Sequence, residues 1–116
     1  MTIPLPGDNI KFEEIKNAVK GVKFVTLRSD SDELFEAVLV KSDLGQLTGC
    51  LVKIFGEPVF PEGKKYPFDP QKLVEDYGGI MPGQTLYYLE QDLIFAMLWP
   101  WQDGVNITFK LIKKPQ

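Results

Sequence analysis

The chain has 116 residues, 44% apolar and 25% charged, the composition of one ordinary globular domain. It contains no histidine and a single cysteine, so it lacks the residues for a Ser-His-Asp or Cys-His nucleophile pair, an H-E-x-x-H zinc helix or a zinc site of cysteines and histidines. Net charge is −3, and Arg28 is the only arginine. Phosphate binding relies on clustered Lys/Arg and on arginine's bidentate fork, so nucleic acid is not an expected partner.

Cys50 alone cannot close an intramolecular disulfide, and Met1 to Gly7 carry neither a basic region nor an apolar stretch of the secretory kind. A cytoplasmic location is the expectation. The longest apolar run, Leu93 to Trp101, is about half of the ~20 residues a membrane-spanning helix needs. No membrane partner is expected.

The first predicted element is a helix capped by Asp8, with Phe12, Ile15, Val19 and Val22 at helical spacing and Gly21 as a left-handed stop. Val22 to Arg28 is rich in strand formers, and Ser29-Asp30-Ser31-Asp32 is a polar connector. Leu34 to Lys41 fits a strand carrying Leu34, Val38 and Val40 on one face, or a helix capped by Asp30. The strand is preferred because a short connector between two strand-forming runs makes a hairpin. Asp43 and Gln46 have capping-box spacing before the stripe Leu44, Leu47, Leu51, Ile54 and Phe55, which ends at Gly56-Glu57-Pro58.

Residues 56 to 70 hold Pro58, Pro61, Pro67 and Pro70, too many fixed φ angles and missing donors for regular structure. Asp69-Pro70 begins a short helix through Leu73, Val74 and Tyr77, which stops at Gly78-Gly79. Three strands follow: 84 to 90, 93 to 99 and 105 to 112, with tight turns at Gln91-Asp92 and Gln102-Asp103-Gly104. The unbroken apolar run from Leu93 to Leu98 marks the central strand. Val105, Ile107, Phe109 and Leu111 alternate with Asn106, Thr108 and Lys110, the mark of a sheet with one wet face. The predicted fold is a single α+β domain. It has a mainly antiparallel sheet of about five strands, with two longer helices and one short helix packed on one face.

Several motif-like stretches fail on spacing. Gly56 and Gly63 before Lys64-Lys65 are seven apart instead of the five of a phosphate loop, and Lys65 replaces the magnesium-binding hydroxyl. Asp30-Ser31-Asp32 begins like a calcium loop, but Phe35 and Lys41 occupy the glycine and glutamate positions. Gly78 to Gly83 lacks the dinucleotide pattern. Pro58 to Pro61 and Pro67 to Pro70 are two P-x-x-P matches of low specificity. Cys50 has no histidine to activate it and reads as a small hydrophobe. Glu75 and Asp76 are adjacent on a short helix and point apart. No catalytic residue, cofactor or metal ligand is assigned.

The aromatic residues carry the remaining signal. Tyr87 and Tyr88 are neighbours on a strand, so one is expected to face away from the core. Trp99-Pro100-Trp101 places two indoles around a residue that breaks strand pairing. The preferred reading is that both rings close the end of the core under the proline-rich loop; the alternative is that Trp99 continues the buried run while Trp101 projects from the sheet's end as a binding residue. The leading functional expectation is a non-catalytic binding or regulatory module that engages a protein partner or a second copy of itself. The alternative is a small-molecule-binding domain or enzyme using tyrosine, lysine and carboxylate groups in a pocket between the 56–70 loop and the sheet. The candidate binding residues are Trp101, Tyr87, Tyr77, Tyr66 and Asp103, with Lys65 beside Tyr66 in the loop.

Overall fold

The computed structural model describes residues 10–60, 72 and 74–114. Helix α1 (Ile10–Val19) buries Phe12, Ile15 and Val19 on its apolar stripe. The chain leaves it through Val22, whose N–H donates to the Val19 carbonyl at 3.0 Å. Gly21 is not among the residues with positive φ, so the left-handed stop expected there is not formed. The predicted cap Asp8 lies outside the described residues.

Strand β1 (Thr26–Asp30) starts four residues later than the strand-forming run and includes Ser29 and Asp30, which sequence alone makes a connector. Two local interactions explain the shift. The Asp30 carboxylate accepts from Lys16 of α1 at 2.9 Å and from Lys20 at 3.1 Å, holding it in the sheet. Ser31 closes the turn, its Oγ accepting from the N–H groups of Glu33 and Leu34 at 3.3 and 3.1 Å. Strand β2 (Leu34–Val40) pairs antiparallel with β1, as the hairpin expectation requires, with a bulge at Arg28.

A 3₁₀ turn at Lys41–Asp43 leads into helix α2 (Leu44–Phe55), which buries Leu47, Leu51 and Phe55 as its stripe predicts. The capping box is not formed: Asp43 makes no side-chain cap, and Gln46 donates instead to the Gly21 carbonyl at 3.5 Å. Gly56 ends the helix at φ 77°, its N–H donating to the Val52 carbonyl. In the described part of the short helical segment, Lys72 and Val74 are helical and Glu75–Tyr77 form a 3₁₀ turn, stopped by Gly78 at φ 101°. Asp69, Pro70 and Leu73 lie outside the described residues.

Strands β3 (Thr85–Leu89), β4 (Ile94–Pro100) and β5 (Asn106–Lys113) form a meander. The β3–β4 connection is a 3₁₀ turn at Glu90–Asp92 closed by Leu93 in the left-handed region, φ 54°, and not a two-residue hairpin. Strand β5 also pairs with β2, so the five-stranded antiparallel sheet runs β1-β2-β5-β4-β3. The central strand is therefore β5, which alternates, and not β4, which does not. Strand β4 lacks alternation because both its faces are buried.

Helices α1 and α2 cover one face of the sheet and enclose the main core. Phe24, Phe35 and Phe109 meet there with ring centroids 5.6 to 6.2 Å apart. The other face is not simply wet. Val59, Val74, Ile80 and Tyr77 lie over Leu86, Tyr88, Phe95 and Met97 in a second apolar cluster. The short helical segment thus packs on the face opposite the two longer helices. Tyr87 and Tyr88 point to opposite faces and are nonetheless both buried, at 4% and 5% exposure. No described helix is long and apolar enough to cross a membrane.

Candidate functional site

Over β1, β2 and the start of β5 the second face carries Arg28, Glu36, Val38, Thr108 and Lys110, of which Arg28 is exposed, Glu36 and Lys110 are half-buried, and Val38 and Thr108 are buried. Trp101 reaches over this region from the end of β4. Pro100 does not break the ladder: it pairs with Ile107, and the Trp101 N–H still donates to the Asn106 carbonyl at 2.8 Å. A proline at the last position of a strand loses little, because the N–H it lacks is one the end of the ladder can spare. Pairing carried one residue further puts the Trp101 side chain on the face of Asn106 and Thr108.

The indole is fixed there by two contacts. Its Nε1–H donates to Thr108 Oγ1 at 2.8 Å, and the Arg28 guanidinium lies 5.6 Å from the ring centroid. Arg28 in turn reaches Glu36 at 3.5 Å. Trp101 remains 38% exposed, and Val105 in the adjacent turn is 52% exposed. Beside them lies a hollow of about 220 Å³ lined by Leu44, Pro100, Ile107, Trp101, Gly104 and Lys41 among others. Small-molecule sites usually measure roughly 300–1,000 Å³, so this hollow suits one large side chain better than a metabolite.

Trp99 differs from its neighbour. It packs against the second cluster, and the Lys110 ammonium rests 3.7 Å from its ring centroid. Burial lowers the Lys110 pKa, the Glu36 charge opposes that effect and the Arg28 charge adds to it. The Trp99 Nε1–H is buried without a partner among the described residues. Gly78 approaches the same ring so closely that a Cβ there would lie 2.8 Å from its Cη2.

The other candidate residues do not converge on Trp101. Tyr87 is in the main core against Phe55, centroids 5.9 Å apart, and burial raises its pKa. Tyr77 is on the opposite face, edge-on to Phe95 at 5.2 Å, its pKa raised by burial and then by Asp76 and Glu33. Asp103 shapes the β4–β5 turn: its carboxylate accepts from the Val105 and Asn106 N–H groups at 2.8 and 2.9 Å and from the Asn106 amide at 2.7 Å. Those bonds hold its pKa below the usual carboxylate value. Tyr66 and Lys65, with most of the 56–70 loop, lie outside the described residues. Tyr77 and Tyr87 face away from one another across the sheet, so they cannot line one pocket.

Sequence reasoning missed Arg28 and Thr108 as the supports of Trp101: Arg28 is distant in the chain, and Thr108, though near in sequence, meets the indole only through the β4–β5 register. It also missed Lys16, which is 5% exposed and bonds Asp30, Glu13 (3.2 Å) and the Ser31 carbonyl (3.1 Å). Burial pulls the Lys16 pKa down, but the hydrogen bonds and charges of Asp30 and Glu13 outweigh it and leave it raised. This network ties α1 to the β1–β2 hairpin. No family model, curated protein or solved structure matches this chain.

Proposed function

We propose that this protein is a small non-catalytic binding module that engages a protein partner at the sheet end around Trp101. The observation that carries this reading is the indole held by Thr108 and Arg28 yet 38% exposed, beside a hollow with room for one large side chain. A ring already fixed in place loses little conformational freedom on binding, and Trp and Arg are the residues most enriched among binding hot spots. The hollow receives a partner's apolar side chain, and Trp101 and Val105 supply the surrounding contact. A lone, half-buried Cys50 fits a reducing compartment, which we take to be the cytoplasm.

The test is site-specific photo-cross-linking in cells, with the photoreactive residue placed in turn at 101, 105, 52 and 81. All four side chains are exposed in the free protein. Positions 101 and 105 are expected to yield one shared discrete adduct that 52 and 81 do not. With the purified partner, Trp101→Ala is expected to weaken binding by about 2 kcal/mol or more. Equal labelling at all four positions, or an adduct confined to 52 or 81, would overturn the assignment.

A further inference from the structure

Among the described residues, Lys41 is the one charged side chain that lines the hollow beside Trp101; the rest of the lining is uncharged. Its root is fixed. The Lys41 N–H donates to the Val105 carbonyl at 2.7 Å, which holds the residue against the β4–β5 turn. Its ammonium is not engaged: Lys41 is exposed and forms no ion pair among the described residues.

The carboxylates nearest in the chain and across the indole do not answer that charge. Asp103, in the same turn, has both oxygens committed to the Val105 and Asn106 N–H groups and the Asn106 amide. Asp43 ends the 3₁₀ turn that Lys41 begins, but it does not line the hollow. Glu36 is paired with Arg28, so neither of those two is counted as free. The hollow thus combines an apolar lining with one unanswered positive charge, in a chain whose net charge is −3.

We infer that the segment bound here is acidic: an apolar side chain fills the hollow, and a carboxylate beside it in the partner's sequence pairs with Lys41. This rests on the Trp101 reading above and adds the partner's charge to it. In sites of this kind apolar contact supplies most of the binding, and a few polar groups fix orientation and choice of ligand. A basic segment would set like charges side by side, a cost that rejects wrong partners more than a matched pair adds affinity. Lysine carries its charge on a flexible stem, so the pair makes little demand on geometry. An exposed pair is a modest contribution, about threefold in affinity, and salt screens it.

The test uses short, end-blocked peptides with Phe, Leu, Met or Trp at the centre and Glu, Gln or Lys on both sides of it. They are titrated into the isotope-labelled protein at low salt while the indole N–H resonance of Trp101 is followed. For the central residue that binds best, the Glu-flanked peptide is expected to bind about threefold more tightly than the Gln-flanked one and about tenfold more tightly than the Lys-flanked one. Lys41→Gln is expected to remove the advantage of Glu over Gln, and Lys53→Gln, an exposed lysine of α2 outside the hollow, to leave it intact. Equal affinity for the three flanks would overturn the inference, as would an advantage that survives Lys41→Gln; Gln-flanked peptides that still shift the Trp101 signal would then leave the binding reading itself standing. Failure of every peptide to move that signal would overturn both.

Discussion

The two faces of the sheet are made by the same five strands yet solve different problems. The face under α1 and α2 is apolar from β2 to β3, with Phe35, Ala37, Leu39, Phe109, Leu111, Ala96, Leu98 and Tyr87 all buried. The opposite face changes character across the strands: Leu86, Tyr88, Phe95 and Met97 are covered, and Arg28, Glu36 and Lys110 are not. One helix pair can shield a whole sheet face. Among the described residues, those at 59–60 and 74–80 shield the β3–β4 side of the second face, and the rest of it carries the charged Arg28, Glu36 and Lys110 beside the buried Val38 and Thr108 and the part-exposed indole of Trp101. The first face is therefore where stability is concentrated, and the proposed binding site lies at the sheet end around Trp101.

The largest test of that division is Phe109→Ala. Phe109 is fully buried and touches Phe24 and Phe35. Its truncation is expected to cost about 3–5 kcal/mol in chemical denaturation. A loss under about 1 kcal/mol would mean that the helix-covered face is not the main core.

Gly78→Ala probes the covered half of the second face. A Cβ at φ 101° is strained, and it would also press on Trp99. An expected loss of about 1–3 kcal/mol, with a shift of Trp99 fluorescence, would show that this cluster is tightly packed.

Lys16→Met tests the tie between α1 and β1, and is expected to cost about 1–3 kcal/mol because it removes charge-assisted bonds from a buried site. Its pH signature follows from the two shifts. Asp30 is held below its ordinary pKa by hydrogen bonds from Lys16 and then Lys20. Its contribution is thus complete above the ordinary carboxylate value and fades as pH falls through the depressed one. Lys16 is raised, so its contribution is complete below the ordinary lysine value and fades as pH rises through the raised one. Melts across pH are expected to show both limbs flattened in Lys16→Met. Unchanged limbs would assign the pH dependence to other groups.

The smallest expected effect on the fold is Trp101→Ala. It removes one hydrogen bond to Thr108 and one cation–π contact at a partly exposed site, a loss of about 1 kcal/mol or less. A loss comparable to that of Phe109→Ala would make Trp101 a core residue and erase the contrast between the two faces.

Much of the architecture was legible from local pattern. The stripes Phe12-Ile15-Val19 and Leu47-Leu51-Phe55, the hairpin into Leu34–Val40 and the alternation after Val105 each follow from the period of one element. Among the readings that failed, three asked a local pattern for a non-local answer. The run from Leu93 to Leu98 reports burial on both faces, which a second cluster produced without making β4 central. Tyr87 and Tyr88 alternate as a strand demands, but whether the outward ring meets water depends on what covers it. Pro100 suggests a broken ladder only until its place at the strand's end is known.

Which residues are apolar, where helices and strands recur and which chemistries are missing for want of histidine are written in the chain, because they depend on side-chain type and spacing alone. Whether Trp101 is buried or presented depended on Thr108 and Arg28, which stand on two other strands. Strand order and register bring those three residues together, and no local period encodes either.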